Sequence, residues 1–189
     1  MKARAPVAIL DANVLYPADI RDILLQLMQE GLFRGHWTRE IAHEWIRSLV
    51  RKRPNLAVEK IHSTARQMEE VFPEALITDY PDLVVDIKLP DPDDVHVVAA
   101  AISAECNTII TFNLRDFPND VLSSFGITPV HPEQFIFDLY QQFPQLVFHA
   151  LNTVWSRLRE PPYTVDEYCN LLSKRGLERI SEIFRQGMA

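Results

Sequence analysis

Short apolar segments that each end in an acidic or polar side chain alternate along this chain with longer segments of helical spacing. The clearest is the run Val7–Leu10, which is bounded by Pro6 and ends at Asp11. Such alternation is typical of an α/β fold with a parallel sheet. The carboxyl ends of parallel strands face one crevice, so acids that are distant in sequence can meet there. The pattern therefore predicts both a fold class and the position of a site.

The whole chain predicts a three-layer α/β/α fold with a mostly parallel central sheet and a helical C-terminal extension. Further strands are predicted over residues 75–78, 107–111 and 127–130, whereas Gly35-His36-Trp37-Thr38 resembles a turn. Residues 80–87 are predicted to be irregular or briefly helical. We divide the chain into a domain of residues 1–143 and an extension of residues 144–189. Helical spacing and end signals predict helices over residues 18–30, 38–52, 56–71, 92–104, 132–142, 145–159, 164–174 and 177–185.

Composition limits the function only weakly. The 189 residues, 47% of them hydrophobic, suffice for a sizeable core, and the net charge of -7 does not indicate a nucleic-acid binder. The charge is uneven, since residues 1–65 hold ten Lys and Arg against seven Asp and Glu, and residues 66–130 hold three against twelve. This asymmetry would allow a metal site beside a polyanion-binding face, although ordinary surface solubility is the simpler explanation.

Nothing in the sequence predicts secretion or membrane insertion. Only four apolar residues separate Pro6 from Asp11, which is too few for a signal peptide, and no apolar run reaches membrane-spanning length. Cys106 and Cys169 are too few for a disulfide framework and lack zinc-site spacing. We therefore expect a cytoplasmic protein.

Asp11 and Glu44 are the first candidate metal ligands, and each also has a purely structural explanation. Asp11 follows a buried strand, and Asn13 two residues later could orient a water or a phosphate; the alternative is a helix cap or a turn former. Glu44 lies at the edge of the apolar stripe of its helix, beside Arg47 and Arg51. The alternative for Glu44 is a surface pair with Arg47 on the same helix.

Three acids in four residues make the segment Asp91-Pro92-Asp93-Asp94 the next candidate. Proline suits the first position of a helix and Asp91 suits its cap, so Asp91 alone has a complete structural explanation. Three acids exceed what capping requires. Asp94 begins a helix that is apolar nearly all round and must be central. We expect Asp94 to be a ligand and Asp91 to be a cap or a supporting ligand.

Polar side chains also follow the strand predicted at residues 107–111. Thr111 and Asn113 can reach the same crevice, and Asp116 comes one turn later, although a turn in which Asp116 binds its own backbone is the alternative. Packed carboxylates repel each other unless a proton or a cation lies between them. Oxygen ligands without a Cys/His cluster favour Mg²⁺ or Mn²⁺. The acids together predict metal-dependent phosphoryl chemistry.

Four of these segments resemble the motifs of PIN domains, in order and in spacing, over residues 6–135. They are Ile9-Leu10-Asp11-Ala12-Asn13-Val14-Leu15, the segment from Thr38 to Glu44, Leu89-Pro90-Asp91-Pro92-Asp93-Asp94-Val95-His96, and Thr111-Phe112-Asn113-Leu114-Arg115-Asp116-Phe117. The pattern is most similar to the VapC-type toxins of bacterial toxin–antitoxin pairs. The resemblance implies an α/β/α nuclease fold, an endoribonuclease activity that needs Mg²⁺ or Mn²⁺, frequent dimerisation, and inhibition by a small antitoxin.

The resemblance and the residues together give every candidate a role. We expect Asp11, Glu44, Asp94 and Asp116, supported by Asp91, to hold the metal ions. The side chains that position the water or the scissile phosphate are then Asn13, Thr111 and Asn113. The RNA backbone would be bound by Arg47, Arg51, Lys52 and Arg53.

Two departures from the family pattern keep alternatives open. Asn113 stands where many members carry a fourth acid, and the resemblance does not explain the extension. A non-catalytic PIN-fold binding or scaffold module is therefore one alternative. A phosphatase of another α/β family is the second, although the chain lacks the second aspartate of the haloacid-dehalogenase pattern and a glycine-rich phosphate loop.

Overall fold

The structure is a computed structural model that describes residues 5–53, 55–80, 87–159 and 161–188. Within those ranges five parallel strands form a single sheet with the spatial order β3-β2-β1-β4-β5. Most of the segment predicted to be irregular, residues 81–86, lies outside them. The strands are β1 (Val7–Leu10), β2 (Arg34–Thr38), β3 (Leu76–Ile77), β4 (Thr108–Ile110) and β5 (Thr128–Val130).

Helices flank the sheet, so the predicted α/β/α class with a C-terminal helical extension is confirmed. Single 3₁₀ turns at Pro73–Ala75, Pro92–Asp94 and Ser123–Phe125 join some of them. The helices are α1 (Ala12–Leu15), α2 (Ala18–Gln29), α3 (Arg39–Lys52), α4 (Val58–Val71), α5 (Val95–Ser103), α6 (Asn119–Leu122), α7 (Pro132–Gln142), α8 (Pro144–Arg157), α9 (Val165–Lys174) and α10 (Glu178–Gly187).

Strand β1 forms the centre of the sheet. It pairs with β2 on one side and with β4 on the other, and all four of its side chains are buried. A strand covered on both faces needs a continuous apolar run rather than alternation, which is what Val7–Leu10 supplies. Since β4 lies beside β1, the residues after both strands reach the same edge of the sheet.

The turn predicted at residues 35–38 is wrong, because this segment is the inner strand β2. Gly35 suggested a turn, but it pairs with Ala8 of β1 and serves a packing purpose. A Cβ atom at Gly35 would lie 2.6 Å from the Sδ atom of Met28 on α2, so any larger residue would require that flexible side chain to move. Trp37, at the end of the strand, is 1% exposed and belongs to the core.

The C-terminal helices pack against the rest of the chain. The apolar stripe of α8 contains Val147, Leu151 and Val154, which are buried in the same core as the sheet, and α8 lies against α2. Thr164 and Glu167 form a capping box at the start of α9, where the sequence predicts a helix over residues 164–174. In the part of the chain that the structure describes, no helix is both long and apolar enough to cross a membrane.

Candidate active site

An open cleft of about 820 Å³ lies at the carboxyl ends of β1 and β4. Asp11 directly follows β1, and Asn113 comes shortly after β4, so the parallel pairing of these strands brings both residues to one place. The predicted site residues that line this cleft are Asp11, Asn13, Glu44, Arg47, Arg51, Lys52, Asp91, Asp94, Asn113 and Asp116. Thr111 and Arg53 are not among its lining residues.

Asp11 is fixed at the floor of the cleft by two side chains. Its Oδ2 atom accepts a hydrogen bond from Oγ1 of Thr111 at 2.7 Å and another from Nδ2 of Asn13 at 2.6 Å. The amide of Asn13 is itself oriented, because its Oδ1 atom accepts from the backbone N–H of Phe112 at 3.0 Å. Thr111 is fully buried, so it supports Asp11 from behind and does not face the cleft.

Burial and mutual repulsion raise the pKa of two of these acids. Burial raises the pKa of Asp11 to about 6, against the opposing effect of the hydrogen bond from Thr111. The pKa of Asp94 rises to about 7, first because of burial and then because of the negative charges of Asp11, Asp91 and Asp116. Near neutral pH the cleft therefore holds carboxylates that a positive charge would stabilise.

Three carboxylates lie close enough to share one cation. Asp91, Asp94 and Asp116 each offer an oxygen atom, and these atoms lie within 4.8 Å of one another. Asp91 also accepts from the backbone N–H of Asp93 at 3.0 Å, so it caps the 3₁₀ turn as well. Asp116 accepts a hydrogen bond from the side-chain amide of Asn113. The set is made of hard oxygen donors, which fits a divalent ion such as Mg²⁺ or Mn²⁺.

Glu44 reaches the cleft from α3 and is held by a histidine. Its Oε1 atom lies 2.9 Å from Nε2 of His96, which is at the start of α5. Over the described ranges Glu44 pairs with His96 and not with Arg47, which argues against the surface-pair alternative. The sequence favours a packed or supporting role for His96 over a role as a ligand, and the structure places its ring against Glu44.

The last turns of α3 give the cleft a basic wall. Arg47, Arg51 and Lys52 line it, and the Nζ atom of Lys52 lies 5.2 Å from the centre of the Tyr16 ring. Neither Tyr16 nor Ser48, which also line the cleft, was predicted. Ser48 follows Glu44 by four residues, so helical spacing alone could have placed both on one face.

Comparison with known proteins divides the chain into two matching parts. Residues 7–115 match the family model described as PIN domain, and residues 132–186 match the one described as VapC50 C-terminal domain. Over 85 residues the chain is 31% identical to a curated protein named "Putative ribonuclease VapC50" from Mycobacterium tuberculosis (strain ATCC 25618 / H37Rv). That alignment covers 43% of this chain and 48% of the relative, so the chain spans about half the length of the curated relative it matches. No solved structure matches the chain significantly.

Proposed function

This chain belongs to the PIN domain family, and on that premise we propose that it is a metal-dependent endoribonuclease, the toxin of a toxin–antitoxin pair. The observation that carries the proposal is the convergence of carboxylates from four separate segments on one cleft with a basic wall. Raised pKa values at Asp11 and Asp94 support a site that takes up positive charge. The name of the similar protein, a ribonuclease, supports RNA as the substrate.

The metal ligands proposed are Asp11, Glu44, Asp94 and Asp116, with Asp91 in support, holding one or two Mg²⁺ or Mn²⁺ ions. When bound, such an ion supplies a water of lowered pKa and stabilises negative charge at a phosphate. The side chains of the protein fix the geometry of this set. Thr111 and Asn13 hold Asp11 in a single orientation through their hydrogen bonds, and Asn113 does the same for Asp116.

The three polar side chains that the sequence predicts to position the water or the scissile phosphate differ in exposure. Asn113 is exposed and lines the cleft, so it can contact the scissile phosphate or the attacking water. Asn13 lines the cleft as well, but its amide is already bonded to Asp11 and Thr111. Thr111 is buried, so we propose that it positions Asp11 and does not touch RNA. This changes the role that the sequence predicted for Thr111.

RNA would enter along the basic wall formed by the end of α3. Arg47, Arg51 and Lys52 lie beside the acids, where each can neutralise a phosphate of the strand. Tyr16 lies at the same wall and presents an aromatic ring, on which an unpaired base could stack. The ring of Trp37, which precedes α3 in the sequence, is buried and cannot serve this purpose.

The family relationship also supports proposals on partners. A small antitoxin protein, a possible homodimer and a cytoplasmic location are what similarity to VapC-type toxins implies. The division of the chain at residues 143 and 144 stays a prediction. The match to the C-terminal family model begins at residue 132, the first residue of α7.

Cleavage of a labelled single-stranded RNA tests this function. Full-length protein should cleave it with Mn²⁺ and stop when a chelator removes the metal. Asp94→Asn should abolish cleavage, because it removes one charge from the cluster at nearly constant volume. Asp138→Asn, a change at an exposed acid of α7, is the matched control and should leave the rate unchanged. Metal-independent cleavage, or full activity of the Asp94 variant, would exclude the proposed site. A protein that binds RNA without cleaving it would support the scaffold alternative.

A further inference from the structure

His96 is the buried side chain through which α5 contacts the glutamate of α3. It is 8% exposed, and its Nε2 atom lies 2.9 Å from Oε1 of Glu44. It does not line the cleft of the acids but a neighbouring pocket, and Glu44 lines both, so the contact lies outside that cleft. Because Asp94 lies two residues before His96, this contact connects two of the acidic segments to each other.

The two nitrogen atoms of the His96 ring have different surroundings. Nε2 has the carboxylate of Glu44 as its partner, and a carboxylate accepts, so Nε2 carries the hydrogen. Nδ1 is 3.7 Å from Oε2 of Glu40, beyond hydrogen-bond distance, and is buried without a hydrogen-bond partner among the described residues. Glu40 instead accepts from the hydroxyl of Tyr80 at 3.0 Å. The ring is therefore engaged on one side, the side of Glu44.

Glu44 needs such a partner if it is to act as a ligand. A glutamate has several rotatable bonds, and Glu44 lies on a helix beside Arg47, whose guanidinium would attract it. His96 is the one side chain in the described ranges that hydrogen-bonds to Glu44. Partners of this kind orient the ligands of metal sites and hold them in the charged state.

We infer that His96 is a positioning residue, which holds the carboxylate of Glu44 toward the cleft through its Nε2–H group and thereby raises the affinity of the site for a divalent ion. This inference rests on the proposed function only in taking Glu44 as a ligand. It requires His96 to act through Glu44, without contact to the ion or to RNA.

Two amide substitutions at the same position separate positioning from packing. The side-chain nitrogen of glutamine reaches nearly as far as Nε2 of histidine, whereas that of asparagine corresponds to Nδ1 and falls short of Glu44. Isothermal titration of the full-length protein with Mn²⁺, without RNA, measures the effect. His96→Asn should weaken Mn²⁺ binding roughly tenfold, at the lower end of what loss of such a partner costs. His96→Gln should bind within about threefold of the unmodified protein, since it can restore the bond.

A double-variant cycle then tests whether His96 acts through Glu44. Glu44→Gln should weaken Mn²⁺ binding, and adding His96→Asn to it should weaken binding no further. Thermal unfolding of the metal-free variants shows whether either change disturbs the fold.

The inference is overturned by equal losses in the Asn and Gln variants, by unchanged binding in His96→Asn, or by additive losses with Glu44→Gln. Since no RNA is present, a protein that binds Mn²⁺ in the expected way but cleaves no RNA contradicts the proposed function and leaves the role of His96 in place. Absence of Mn²⁺ binding contradicts both.

Discussion

Two buried carboxylates, Asp11 in the cleft and Glu133 among the C-terminal helices, differ in the groups that surround them. Glu133 accepts hydrogen bonds from the backbone N–H groups of Arg179 and Ile180, at 2.8 and 3.1 Å, at the start of α10. Unpaired backbone donors and the helix dipole favour an anion there, although burial and the neighbouring Glu178 still raise the pKa of Glu133. Asp11 accepts hydrogen bonds from two side chains. It shares its cleft with Asp94 and Glu44.

The difference shows how to distinguish a structural acid from a candidate ligand. Glu133 completes the end of a helix, and the fold has brought donors to it. At the cleft, acids from several separate segments meet, and their repulsion helps to raise the pKa of Asp94 to about 7. A cluster of acids that disfavours its own charged state and lines a cleft fits a cation-binding role.

The C-terminal helices should be indispensable for stability, and their removal is the largest change expected. Deleting residues 144–189 would expose the face of α2 against which α8 lies, so we predict an insoluble or strongly destabilised protein. A soluble, monomeric truncation of unchanged stability would mark the extension as a partner-binding appendage. Solubility, size-exclusion chromatography and thermal unfolding measure the outcome.

A pair of point variants sharpens the same prediction without removing the helix. Leu151→Ala, at a fully buried position of α8, should lower the free energy of unfolding by about 2–5 kcal/mol. Leu146→Ala on the same helix removes the same atoms from a side chain that is 41% exposed and should cost much less. Equal losses in urea unfolding would show that α8 does not bury its stripe in the core.

The acids of the cleft should make the metal-free protein less stable as the pH rises. A carboxyl group whose pKa is raised on folding favours the folded state while protonated and destabilises it once ionised. The pKa of Asp11 is about 6 in the folded protein against 3.8 for a free side chain. Its ionisation would therefore lower the free energy of unfolding by about 3 kcal/mol at pH 8, as an upper bound, and about half of that loss appears between pH 5 and pH 8. Asp94 and His96, whose pKa values are also raised, act in the same direction.

Urea unfolding in the presence of a chelator, at pH 5 and at pH 8, measures this slope. Asp11→Asn should flatten it, because the amide does not ionise, whereas Asp138→Asn should not. If Asp11→Asn loses as much stability between pH 5 and pH 8 as the unmodified protein, then Asp11 is not responsible for the pH dependence.

The basic wall should contribute the smallest of these effects. Arg51 lines the cleft and Arg53 does not, so Arg51→Ala should weaken RNA binding and reduce its salt slope by about one, while Arg53→Ala should do less. Fluorescence anisotropy in an Asp94→Asn background avoids cleavage. Unchanged salt slopes in both variants would mean that these arginines are solvated helix surface and that RNA follows another path.

Much of the fold follows from the sequence because each element carries its own signal. Strand β1 is apolar throughout, and Thr164 and Glu167 mark a helix start that the structure retains. Strand β2 was missed because Gly35 reflects the approach of Met28 from α2, a contact between elements that local patterns do not record.

The sequence likewise predicts one part of the site and not another. Asp11 and Asp94 follow or begin predicted elements, so the topology of a parallel sheet is enough to bring them together. The role of His96 depends on the distance between α3 and α5, which no spacing along the chain specifies. The burial of Thr111, whose hydroxyl donates to Asp11, likewise depends on tertiary packing.

Thermal unfolding with increasing Mn²⁺ at pH 8 tests the central claim most directly, namely that the repelling acids of the cleft form a divalent-metal site. The unmodified protein should begin at a lower unfolding temperature than the double variant Asp11→Asn, Asp94→Asn, and should then rise as the ion binds the folded state. The double variant should begin higher and respond little. Equal starting temperatures followed by equal rises would contradict the account, because neither repulsion nor metal binding would then depend on these acids.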